Sequence, residues 1–151
     1  MASTVLLCTD GSDVSIDALR VSLPLLAPAD RTIVVTVESP VDPDTTTGTG
    51  FSSRRSALDL ADQIETSGDR RAKRILDATV AALGLDDVEL LAIVGRPGHA
   101  ICELAESLSA SVVVVGTSGR GGLRRAMMGS TSDHIIRNAP CPVLVQGVGQ
   151  H

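Results

Sequence analysis

Residues 111–131 open with Ser111-Val112-Val113-Val114-Val115, continue as Gly116-Thr117-Ser118-Gly119, and after nine residues reach Gly129-Ser130-Thr131. The valine run is short, β-branched and uniformly apolar, the pattern of a strand buried on both faces. Gly116 and Gly119 permit positive φ and let the backbone approach a ligand with no Cβ in the way. Gly129 is expected to do the same where the next helix begins. There Ser130 and Thr131 add hydroxyls to the unpaired N–H groups of a first helical turn, at the positive end of its dipole. A tight turn or a cap explains any one of these residues alone. The whole spacing behind a strand points instead to a site for phosphate.

Outward from that segment, strand and helix patterns alternate. Residues 4–9 form an apolar run closed by Asp10-Gly11-Ser12, after which Ser12 or Asp13 caps a helix whose apolar face is Ile16, Leu19, Leu23 and Leu26. Pro24 lacks a donor and clashes one turn back, so a kink or an end is expected near 21–23. Residues 32–37 are a second strand. Residues 42–53 carry Asp, Pro, Thr, Gly and Ser without periodicity and are expected to be a mobile loop. Ala72, Ile75, Leu76, Thr79 and Leu83 mark an amphipathic helix ended by Gly84 as a left-handed cap. Residues 88–94 are a third strand, Gly95-Arg96-Pro97-Gly98 leads into a helix from about 99 to 107, 112–115 is the fourth strand, 130–138 a helix and 142–146 a fifth strand.

This alternation, with strands too apolar to face water, implies a doubly wound, five-stranded parallel sheet with helices on both faces, a Rossmann-like α/β fold. In such sheets ligands collect beyond the carboxyl ends of the strands where the connection order reverses. Asp10 ends the first strand and Gly116 the fourth. If these strands are neighbours at the reversal, both face one crevice.

The 151 residues, 43% of them hydrophobic, suffice for one domain with a real core, and the mean hydropathy is +0.23. Phe51 is the sole aromatic residue, so stacking platforms for exposed bases are lacking. A net charge of −5 further disfavours a nucleic-acid partner. Arg120, Arg124 and Arg125 nevertheless cluster within the nine-residue loop, where a guanidinium can neutralise phosphate oxygens. Arg120, beside Gly119, is the one placed at the site; His134 reads as polar surface. Cys8, Cys102 and Cys141 are odd in number and sit in or beside apolar runs, which reads as small buried hydrophobes. With no long apolar stretch and no basic leader, the expected location is cytoplasmic, with no membrane association.

Gly116, Gly119, Gly129 and Ser130 fit the pattern Gly-x2-Gly-x9-Gly-Ser/Thr, and here the chain resembles the nucleotide-binding branch of the universal stress protein family. Asp10-Gly11-Ser12 after the first strand, Val94-Gly95-Arg96-Pro97 and Pro140-Cys141-Pro142-Val143-Leu144-Val145 are also similar to that family, so the resemblance spans the chain as one domain over 1–151. It implies adenine-nucleotide α-hydrolase-like topology and ATP binding. It places Asp10 and Val37 in the pocket with Thr9 beside them, the end of the second strand meeting adenine through backbone. It also implies a homodimer through the last strand, an edge whose backbone groups invite a partner.

Other chemistries fail on residues. A nucleophile elbow needs Gly-x-Ser-x-Gly, but Arg120 stands at the last position. A P-loop needs a lysine after its glycines, and the sole lysine, Lys73, lies in the second helix. Asp10 is the one carboxylate available to a magnesium ion with the phosphates, so hydrolysis is expected to be slow or absent. The expected function is a homodimeric, ATP-responsive regulatory module of the stress response, its client unidentified. The alternative is a nucleotide-independent dimeric scaffold that docks a client protein.

Overall fold

The computed structural model describes residues 2–40, 70–117 and 129–147. Strand β1 is Thr4–Cys8, helix α1 Asp13–Ser22, β2 Arg31–Glu38, helix α2 70–83, β3 Glu89–Val94, α3 Pro97–Ser107, β4 Val112–Gly116, α4 Ser130–Asn138 and β5 Val143–Gln146. The five strands form one all-parallel sheet in the order β3-β2-β1-β4-β5. The loop expected over 42–53 lies outside the described residues.

Side-chain alternation along the strands divides the core into two layers. Leu6, Ile33, Val35, Val113 and Val115 pack with Ile101 and Ala105 of α3 and Ile135 of α4. Val5, Leu7, Val34 and Val114 point the other way, onto Leu19 of α1 and Leu76 of α2. Cys102 joins the first layer with Cys8 and Cys141 packed against it, as expected of small hydrophobes. Burial pushes all three thiols up, Cys8 to about 12.

Local chemistry fixes the element ends. Ser12 caps α1, its side chain accepting from the Ser15 N–H at 3.2 Å. The helix ends at Ser22, and Pro24 sits in a single 3-10 turn over Leu23–Leu25. Gly84, at φ +61°, closes α2: its N–H donates to the Ala81 carbonyl and the next N–H, of Leu85, to Val80, so two of the last turn's carbonyls are satisfied. Proline begins α3 rather than preceding it, because its missing N–H falls where a first turn has no intrahelical partner.

The connections set where a ligand can enter. From β1 the chain steps to β2 and β3 on one side, then crosses to β4 and β5 on the other, so the order reverses between β1 and β4. Those strands pair directly, Val5 with Val112, Leu6 with Val113 and Leu7 with Val114. Asp10 and Gly116 therefore leave the sheet side by side.

Candidate functional site

At the carboxyl end of the sheet, between β1 and β4, lies a cleft of about 400 Å³. Thr9, Asp10, Val37, Gly116, Gly129, Ser130 and Thr131 all line it, though they come from four separate stretches of chain. Gly119 and Arg120, with Arg124 and Arg125, lie outside the described residues.

The turn after β1 is held by its own side chains. Asp10 Oδ1 accepts from the Ser12 N–H at 2.9 Å and from the Ser12 hydroxyl. Gly11 has φ +81°, and a Cβ there would meet Ile75 Cγ1 at 2.9 Å, so handedness and the press of α2 both require glycine. Beneath, Thr9 Oγ1 accepts from the Gly11 N–H at 3.1 Å and lies 3.2 Å from Ser15 Oγ and 3.0 Å from Thr79 Oγ1. Thr79 Oγ1 in turn donates to the Ile75 carbonyl at 2.8 Å. This buried hydroxyl cluster ties β1, α1 and α2 together. The Thr9 hydroxyl is thus committed to the fold beneath the cleft.

On the opposite wall, the glycines act by a different route from the expected one. Neither Gly116 nor Gly129 has positive φ. A Cβ on Gly116 would lie 3.1 Å from Ala18 Cβ, so its bareness lets α1 pack on β4. Gly129 sits at φ −60°, ψ 156°, its N–H donating to the Thr117 carbonyl at 2.6 Å, and a Cβ would meet that oxygen at 2.9 Å. Close approach, not handedness, favours glycine at 116 and demands it at 129. The contact at Gly129 draws the first turn of α4 to the end of β4, and the N–H groups of Ser130, Thr131 and Ser132 have no intrahelical carbonyl to use. The Ser132 hydroxyl folds back on the Gly129 carbonyl at 3.1 Å. These amides border the cleft at the positive end of the helix dipole, suited to an oxyanion.

At the far end, β2 outruns β1. The last ladder bond among the described residues joins the Thr9 N–H to the Val35 carbonyl at 3.0 Å, while Gly95 N–H donates to the Glu38 carbonyl on the other side. By the alternation of a parallel ladder, Val37 presents its backbone to the side where β1 has already turned away. Val35, Val37, Pro97 and Ile101 give this end an apolar lining. Asp10 is the only carboxylate lining the cleft among the described residues.

A model of the universal stress protein family matches residues 1–146. The chain belongs to the universal stress protein family. A universal stress protein of Thermus aquaticus is 32% identical over 96% of this chain and 98% of its own. Another of Methanocaldococcus jannaschii is 29% identical over 93% of this chain and 79% of its own. The fold matches that of the hypothetical protein MJ0577 with a TM-score of 0.78 at 20% identity, over 100% of this chain and 99% of that one. A universal stress protein solved in complex with cAMP matches at a TM-score of 0.58 and 26% identity, over 95% of each chain.

Several lining residues were not singled out from the sequence: Cys8, Ser15, Val35, Ile101, Val115, Thr117 and Ser132. Most are ordinary core or cap residues whose cleft-facing position follows only from the topology. Pro97 did carry a signal, in the Gly95-Arg96-Pro97 stretch on which the resemblance to the family rests in part. His134, read as polar surface, is half-buried beside the start of α3.

Proposed function

We propose that this cleft binds an adenine nucleotide, ATP with magnesium in the cell, and that the protein is a homodimeric, nucleotide-responsive regulatory module of the stress response. The observation that carries the reading is the meeting, at the sheet's reversal point, of an apolar slot, a carboxylate and a helix start. In this reading adenine lies between Val37 and the Pro97–Ile101 wall and uses the Val37 backbone, and the phosphates take the amides and hydroxyls of Ser130 and Thr131. The relative in complex with cAMP supports an adenine ligand.

Magnesium would arrive with the nucleotide, because no group of three His, Cys, Asp or Glu side chains able to hold a metal exists among the described residues. The ion keeps most of its waters and accepts one carboxylate with phosphate oxygens, which suits Asp10. With no second acidic group lining the cleft among the described residues, our reading is that hydrolysis is slow or absent. Val143–Gln146 forms one edge of the sheet, and we assign the dimer contact to that strand. No helix among the described residues is long and apolar enough to cross a membrane, in keeping with a cytoplasmic site of action.

Equilibrium dialysis with labelled ATP and magnesium tests the reading. Saturable retention of one nucleotide per chain is expected. Absence of retention overturns it and leaves a dimeric scaffold that docks a client without nucleotide.

A further inference from the structure

Beyond Ser130 and Thr131 lies a second recess of about 550 Å³, which shares Pro97 and those two residues with the cleft. It is walled by the first turns of α3 and α4. Its side chains include Arg96, His99 and His134, and no carboxylate lines it among the described residues. In a chain of net charge −5 that is a local inversion of charge.

The packing that builds the recess is specific. A Cβ on Gly98 would meet His134 Cβ at 2.7 Å, so His134 lies against bare α3 backbone. Its ring stands edge-on to that of His99, centroids 6.1 Å apart. Of the nearby acids, Glu103 Oε1 lies 3.1 Å from Nε2 of the lining His99, and both Asp133 oxygens accept from Arg137 Nε at 3.1 Å. Arg96 has no carboxylate partner among the described residues, and its side chain makes no capping bond to α3.

We propose that this recess seats the distal phosphates of a nucleoside di- or triphosphate. The inference rests on the adenine-nucleotide reading of the cleft. A phosphate at the start of α4 stands at the border of the two spaces, and among the described residues the recess is the basic surface next to it for a following phosphate. Arg96 offers a forked donor set matched to phosphate oxygens, and His134 offers a ring N–H from one helical turn along α4. The recess thereby separates ATP and ADP from AMP, which ends at the border.

Calorimetric titration of the full chain with AMP, ADP and ATP, at fixed salt and magnesium, tests this in the parent and in Arg96→Gln, His134→Gln and the double variant. The parent is expected to prefer ATP over AMP by at least about tenfold, a margin of ~1.4 kcal/mol. The double variant is expected to bring that ratio near one while AMP affinity stays within about twofold. Arg96 is exposed, so Arg96→Gln carries the test alone if His134→Gln does not fold. AMP binding without a preference for ATP in the parent, or a preference that survives in the variants, overturns the recess proposal alone. Failure of both AMP and ATP to bind overturns the cleft reading and the recess with it.

Discussion

Replacing Gly129 by serine sets two effects of known size against each other. Gly129 is the N-cap of α4, a position where serine is normally better than glycine by a few tenths of ~1 kcal/mol. Its φ and ψ suit any residue, so the backbone itself raises no objection. The obstacle is the Thr117 carbonyl, 2.9 Å from where the Cβ must go, about half an ångström inside ordinary contact. That oxygen cannot retreat freely, because it accepts the Gly129 N–H at 2.6 Å. Overpacking of this kind costs ~1–3 kcal/mol, more than the cap returns. At about 2–4 °C per kcal/mol for a chain of this size, a loss of roughly 2–12 °C in Tm is expected. Gly129→Ala, with the same Cβ and no hydroxyl to cap, should melt about 1–8 °C below Gly129→Ser, the cap being worth ~0.5–2 kcal/mol over alanine. Because relief of the contact pushes the Ser130 and Thr131 amides off their positions, nucleotide affinity should also fall about tenfold, ~1.4 kcal/mol. Thermal scans and calorimetric titration read both effects. A serine variant that melts at or above the parent temperature refutes the steric argument.

Thr79→Val keeps the shape but strips the hydroxyl that meets Thr9 Oγ1 at 3.0 Å, so urea unfolding should show a loss of ~1–3 kcal/mol; an unchanged midpoint would mean the buried hydroxyl cluster contributes nothing. Cys8, pushed up to about 12 by burial, should resist iodoacetamide at pH 9, where an ordinary thiol is half ionised, and react only on unfolding; rapid labelling of the native chain would contradict this. The folded form then holds a proton that the unfolded chain releases, so stability should decline as pH rises from 9.0 toward 12, and Cys8→Ala should flatten that alkaline limb in unfolding curves. Asp30 works in the opposite sense. The Ser3 N–H at 2.7 Å, helped by the Ser3 hydroxyl, holds its carboxyl below 3.8, so the contribution is present above that pH and lost as pH falls through the lowered value. Asp30→Asn should lessen the acid dependence of Tm, and an unaltered acid limb would count against it.

What could be read from the chain was whatever local chemistry decides. Ser12 as cap, the stop at Pro24 and Gly84 as left-handed terminator each depend on a few neighbouring residues, and each appears where expected. The parallel sheet followed from five apolar runs alternating with helical periods, and the β1–β4 reversal from the logic of the doubly wound fold. The meaning of the glycines was not legible, because it depends on what they meet. Gly116 is bare for Ala18, Gly129 for Thr117 and Gly98 for His134, contacts between residues far apart in the chain or on different elements. For the same reason the engagement of the Thr9 hydroxyl with Ser15 and Thr79 was not legible, although Thr9 lines the cleft, and the Arg96–His99–His134 recess could not be seen before two helix starts were brought together. Gly119 and Arg120 lie outside the described residues.

The most direct test is a map of backbone amide shifts as AMP is added to the isotope-labelled chain. Concerted, saturable changes at Asp10, Val37, Ser130 and Thr131, with helix α2 beyond Thr79 undisturbed, are the predicted outcome. A saturating spectrum in which those four amides stay still while others move would place the ligand elsewhere and contradict the account.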